Sequence, residues 1–182
     1  MKILRRLSVA SLAFAAQAAS ATIIDYHLVS LGGSSYRYEY KLMNDGSLGA
    51  GVPVKWYDIT FNSSLYDEPS LLIVTPDPPA SDWDEQIFST GLLVEPVYDV
   101  FALSGGIAVG GTVSGFSVQF TWLGAGIPGV QSFEVYDPNT FDLLESGRTQ
   151  PADGAVPEPG TLALFLPAFL AAAAGAVRRR RR

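Results

Sequence analysis

From residue 22 to about residue 150, apolar and polar side chains alternate one for one, and no stretch sustains a helical interval. Tyr36, Tyr38 and Tyr40 alternate with Arg37, Glu39 and Lys41. Phe116, Val118, Phe120 and Trp122 alternate with Ser117, Gln119 and Thr121, and Phe133 and Val135 flank Glu134. Val54, Trp56, Asp58 and Thr60 interleave with Tyr57, Ile59 and Phe61, the second set being the more apolar. A strand sends successive side chains to opposite faces, so this period of two calls for sheets with one buried face. Apolar runs at 71–74, 97–103 and 143–144 supply further strands.

Turn chemistry separates these runs. Asn44-Asp45-Gly46 tolerates positive φ. Pro76-Asp77-Pro78-Pro79 has no place in a hydrogen-bonded ladder and reads as an exposed loop. Gly105-Gly106, Gly110-Gly111 and the glycine-rich stretch 124–129 mark turns or bulges. Many short strands divided in this way predict an all-β protein, a single antiparallel β-sandwich of immunoglobulin-like layout with its strand topology open. Roughly 130 residues suffice to bury a core. The chain has no cysteine, so that core works without disulfides, and thiolate metal sites and a cysteine nucleophile are excluded.

Charge divides the chain into a middle and two ends. Between Asp25 and Asp153 there are 17 acidic residues against four basic ones (Arg37, Lys41, Lys55, Arg148), a net charge of about −13. Such a surface repels phosphate backbones and excludes nucleic acid as a partner. The remaining basic residues sit at the termini. Lys2, Arg5 and Arg6 precede the apolar stretch Leu7 to Ala16, and Ala19-Ser20-Ala21 follows with the small-x-small pattern a signal peptidase accepts. This predicts a signal peptide over 1–21, with signal peptidase and the secretion translocon as partners. Cleavage is placed after Ala21, leaving Thr22 first; cleavage after Ala18 is the alternative.

At the other end, residues 162–177 form a 16-residue run without charge. As a helix it spans roughly 24 Å, short of the ~30 Å hydrocarbon core of a bilayer. Counting from Pro159 brings it to about 28 Å, a minimal transmembrane helix. Arg178, Arg179, Arg180, Arg181 and Arg182 follow, a cluster that the positive-inside rule holds in the cytoplasm. Ahead of the run stands Val156-Pro157-Glu158-Pro159-Gly160-Thr161, whose prolines keep the backbone extended, as a protease subsite requires. Residues 151–161 thus read as a linker.

Pro-Glu-Pro, an apolar helix and a terminal basic cluster, in that order, resemble the PEP-CTERM sorting signal of Gram-negative bacteria. The resemblance covers residues 156–182. It implies recognition by an exosortase-type membrane protease through residues 156–161 and removal of the tail near 157–160. The ectodomain would lie on the periplasmic side of the inner membrane and then reach the cell surface or the extracellular matrix. A plain stop-transfer anchor is the other reading of the same residues.

The middle offers few candidates for chemistry. His27 is the single histidine, so zinc and copper sites and a Ser-His-Asp triad are disfavoured, and it reads as a strand or surface residue. Asp82, Asp84 and Glu85, with Asp77 nearby, are weak calcium candidates, or paired acids for a glycosidase, against a default of a solvated acidic loop. Trp83, between acids and near prolines, is expected to be partly exposed, and a sugar-stacking platform built on it belongs to the carbohydrate-binding alternative; Trp122 is expected in the core. The leading expectation is a non-enzymatic surface protein, without cofactor, with a structural or adhesive role in an exopolysaccharide matrix or biofilm. A carbohydrate-binding module and a small extracellular hydrolase are the alternatives.

Overall fold

The computed structural model describes residues 22–152 apart from 90 and 92–93. The expected signal peptide with its cleavage residues Ala19 and Ala21, the Pro-Glu-Pro segment, the apolar run and the arginine cluster lie outside the described residues. Among those described, no helix is long and apolar enough to cross a membrane.

Ten strands form two five-stranded sheets. They are β1 (Ile23–Gly32), β2 (Ser35–Met43), β3 (Trp56–Thr60), β4 (Leu72–Ile73), β5 (Trp83–Phe88), β6 (Val97–Ala102), β7 (Thr112–Thr121), β8 (Ser132–Tyr136), β9 (Leu143–Arg148) and β10 (Gln150–Pro151). The first sheet runs β10-β1-β2-β7-β4 and the second β5-β6-β3-β8-β9. All pairings are antiparallel except β1 with β10, which run parallel. A 3-10 turn (Glu68–Ser70) and a single turn of helix, α1 (Pro79–Asp82), interrupt the strands.

The alternation in the sequence becomes the division between core and surface. Tyr38, Tyr40 and Leu42 of β2 and Phe116, Val118 and Phe120 of β7 face Tyr57 and Ile59 of β3, Tyr98 and Val100 of β6, and Phe133 and Val135 of β8. Each is at most 2% exposed. Burying a side chain of this size contributes roughly 1.5–3 kcal/mol. In β7 Ser117 is buried between Phe116 and Val118 although it lies opposite outward-facing Glu39, because the 74–75 segment lies against it and Thr75 Oγ1 accepts its N–H at 2.8 Å. The register of β7 with β2 shifts between Tyr40 and Lys41. Gly115, with φ of 107°, is the residue inserted there, a left-handed conformation that glycine adopts without a Cβ clash.

Three expectations are corrected. The acidic stretch from Asp82 to Glu85 is not a loop: its last three residues open β5, which pairs with β6 from Trp83↔Ala102 to Phe88↔Val97. Trp83 is 6% exposed and packs edge-on against Tyr57 and Phe116 at centroid distances of 6.3 and 5.3 Å. Trp122 lies past the end of β7, half-buried, and packs against the core cluster beside Tyr66 rather than within it. β10 pairs with β1 through Pro151, and the Ala152 N–H donates to the Tyr26 carbonyl at 2.7 Å.

Candidate binding face

The outer face of the second sheet collects the chemistry-bearing residues, and strand register assembles it. Tyr57 and Ile59 point inward, so Trp56, Asp58 and Thr60 point out. Pairing with β6 and β8 extends each outward position into a row across three or four strands. Asp99, Asp58, Glu134 and Ser146 form one row, and Val97, Thr60, Ser132 and Arg148 the next. On the opposite flank of the acidic row lies an aromatic group. The Trp56 ring meets Phe101 at 6.4 Å, Tyr136 at 4.9 Å and Phe141 at 5.6 Å. A depression of about 340 Å³ lined by Thr60, Ser132, Glu134 and Arg148 continues the face at its other end.

Phe141 is held in place at a cost. Its φ of 64° is left-handed, the single positive-φ position occupied by a residue other than glycine among the described residues. That conformation costs roughly 1–2 kcal/mol for an L-residue. The β8–β9 turn imposes it. The Asp137 carboxylate Oδ1 accepts from the Asn139 and Thr140 N–H groups at 2.7 and 3.2 Å, and the Phe141 N–H donates to the Asp137 carbonyl at 2.9 Å. These backbone donors hold the Asp137 carboxyl below the usual carboxylate range. The result is a ring 70% exposed and set perpendicular to Trp56.

Hydrogen bonds from the flanking aromatic residues reach into the acidic row. The Trp56 indole N–H donates to Asp99 Oδ2 at 2.5 Å, and the Tyr136 hydroxyl donates to Glu134. Asp58 Oδ1 is buried and receives no hydrogen bond from a protein donor. Burial first, then its contact with Asp99 and the charges of Asp99 and Glu134, push the Asp58 carboxyl up to about 8. At neutral pH Asp58 therefore keeps its proton and has a hydroxyl to offer Asp99. Unfolded, the same group ionises near 3.8. Between those values the folded state binds the extra proton, so stability falls as pH rises from about 4 to about 8 and levels off above. Asp58→Asn removes that penalty. Its melting temperature should match or slightly trail the wild type at pH 4 and exceed it at pH 8, in thermal melts across that range.

Other residues singled out in the sequence do not converge. Asp82 closes α1, Asp84 faces outward on β5, and Glu85 turns inward to accept hydrogen bonds from Thr75 Oγ1 at 2.7 Å and from the Tyr98 hydroxyl. Consecutive strand residues point to opposite faces, which separates Asp84 from Glu85, two of the weak calcium candidates. Among the described residues no three His, Cys, Asp or Glu side chains form a metal-binding group. His27 sits on the exposed face of β1 with Nδ1 3.5 Å from Glu39.

Sequence reasoning missed Asp58, Asp99 and Glu134 as a group, and Phe141 entirely. The first three stand far apart in the chain, each alone between apolar neighbours. The only local hint was the Trp56-x-Asp58-x-Thr60 side of β3.

No family model and no curated protein matches this chain. Among solved structures, a chain of a type I cohesin–dockerin complex from Clostridium thermocellum is similar at 12% identity, over 71% of this chain and 99% of that one, with a TM-score of 0.35. A type I cohesin from Pseudobacteroides cellulosolvens is similar at 11% identity, over 73% and 94%, with a TM-score of 0.33. CaCohA2 from Clostridium acetobutylicum gives 13%, 75% and 95%, with a TM-score of 0.32. Superpositions this loose assign neither family nor function.

Proposed function

We propose that this protein is an exported, surface-destined adhesive module, not an enzyme, that binds neutral polysaccharide through the outer face of its second sheet. The observation that carries the reading is the aromatic group of Trp56, Phe101, Tyr136 and strained, exposed Phe141 beside a row of carboxyl groups. Flat apolar rings stack on sugar faces, and carboxyl oxygens accept hydrogen bonds from sugar hydroxyls. The acidic body repels anionic chains, which favours a neutral one. This is the carbohydrate-binding alternative, with the platform transferred from Trp83 to Trp56 and Phe141. Delivery to the surface rests on the two ends of the sequence: the leader-like start, and the ordered Pro-Glu-Pro, apolar and arginine segments proposed as an exosortase-type sorting signal. A matrix or biofilm role is proposed on the same basis.

Trp56→Ala and Phe141→Ala should each weaken retention on the host's matrix polysaccharide about two- to tenfold, the usual worth of an aromatic contact, with the circular dichroism spectrum unchanged. Wild-type retention in both folded variants would remove the face from consideration. The sorting arm is read in the same host by intact mass: a Pro157→Ala/Glu158→Ala chain should keep its arginines while the wild type loses them. Asp58 beside Asp99 also favours a second reading, a hydrolase whose general acid is Asp58. Turnover of polysaccharide that vanishes in Asp58→Asn would select it over binding.

A further inference from the structure

The first described residue is held by a carboxylate from the far end of the chain. Thr22 is 2% exposed, and its backbone N–H is shared between both oxygens of Glu145, at 2.8 Å to Oε1 and 3.0 Å to Oε2. Its hydroxyl donates to the same carboxylate at 2.8 Å, and Ser47 Oγ adds a further donor at 3.2 Å. Glu145 lies on β9, the edge strand of the second sheet, opposite Val135 in the register. That register turns it inward, across the gap between the sheets, toward the start of β1. Asp45 and Arg148 line the same small cavity as Thr22.

A peptide N–H has one hydrogen to share between two carboxylate oxygens. An α-ammonium group has three and a positive charge. Charge-assisted bonds to a carboxylate are roughly twice as strong as neutral ones. Two acceptor oxygens converging on one backbone nitrogen therefore form a better receptor for a chain terminus than for a mid-chain amide. The nitrogen concerned belongs to the residue that the Ala19-Ser20-Ala21 pattern places first after cleavage.

We infer that the Ala21–Thr22 bond is the processing site and that Glu145 receives the new terminus, so that the mature fold is completed by the cut. The inference rests on the export reading above. In the step itself, water adds across the Ala21–Thr22 amide. The Ala21 carbonyl becomes a carboxylate on the departing leader, and the Thr22 nitrogen leaves as an amine that is protonated to the ammonium. Cleavage precedes folding, since the folded protein buries Thr22, and the ammonium then docks between the two Glu145 oxygens as β9 joins the sheet. Of the two bonds open from sequence, this geometry selects Ala21–Thr22 over Ala18–Ala19.

The test uses the full chain expressed in its native host, recovered from membrane and medium. Intact mass and the N-terminal peptide identify the first residue. Reductive methylation at pH 7, followed by mass spectrometry, then reads the reactivity of the α-amine, with Lys55 as internal reference. Thr22 is expected first, with its α-amine methylated at least tenfold more slowly than in Glu145→Gln. A second variant keeps Glu145 and inserts one glycine between Ala21 and Thr22. Its displaced α-amine should react at the rate of an exposed amine while the melting curve still reports a folded protein. A mature chain beginning at Ala19, or equal methylation rates in all three proteins, overturns the inference and leaves export standing. A recovered chain that retains residues 1–21 overturns both.

Discussion

Tyr38→Ala is expected to cost about 3–5 kcal/mol of unfolding free energy, the range for deleting a large buried aromatic side chain. Small domains hold only about 5–15 kcal/mol in all, so the variant should be close to unfolded at 37 °C. Tyr38 is fully buried, and its ring touches Tyr26, Tyr40, Phe61, Tyr66 and Phe120, with centroids 4.9–6.5 Å away. No single neighbour can move into the space, because each is held by the others. The hydroxyl adds a smaller part: it donates to the Gly129 carbonyl at 2.6 Å and lies 3.0 Å from the Tyr66 hydroxyl. Tyr38→Phe keeps the ring and orphans only those partners, for about 1–3 kcal/mol. Urea titrations of the two variants separate the terms. A Tyr38→Phe loss as large as that of Tyr38→Ala would show that the hydrogen bonds, not the packing, dominate.

Asn44→Ala should rank second, at about 3 kcal/mol, although it removes only a small polar side chain. Asn44 is fully buried at the end of β2. Its Nδ2 donates to the Val52 carbonyl at 2.9 Å and to the Ile107 carbonyl at 2.8 Å, and its Oδ1 accepts the Gly46 N–H at 3.0 Å. Its main chain bonds Gly110 and Gly111. One side chain thus joins the 44–54 loop to the 103–111 loop, and alanine leaves buried backbone groups unpaired. The Ile107 carbonyl keeps its bond from the Val54 N–H, so the loss stops short of three full orphans. Asn44→Asp is the sharper test. It retains the acceptor for Gly46 but turns a carboxylate oxygen toward two carbonyls. Its loss should equal or exceed that of alanine at pH 7. It should shrink as pH falls, because a buried carboxyl with a raised folded value contributes most when protonated. A pH-independent loss in Asn44→Asp would mean that Asn44 acts by shape alone.

Both residues were visible in the sequence, but with different weight. Tyr38 stands mid-run in a strict alternation, and its burial could be read there. Asn44 read as a turn former, and its role as a hub depends on Val52 and Ile107, which only folding brings to it. Trp83 shows the opposite failure. Its neighbours Asp82, Asp84 and Glu85 made it look solvated, yet pairing with β6 turns it onto Tyr57 and Phe116. A polar window says little about one side chain in a strand, because its neighbours point the other way.

The sequence alone determined the all-β class, the excess negative charge, the absence of disulfides and most strand positions in the middle, but not those of β1 or β5. These are local or additive properties: a period of two needs only a few adjacent residues, and charge needs only a count. The tertiary structure decided which strands neighbour one another, and with that the outer face of the second sheet and the contact of Thr22 with Glu145. Asp58, Asp99 and Glu134 become one row through the β6–β3–β8 register, and Phe141 reaches Trp56 only because the Asp137 turn bends it there. Contacts of this kind join residues distant in the chain, and a single sequence carries no local mark of its own pairing.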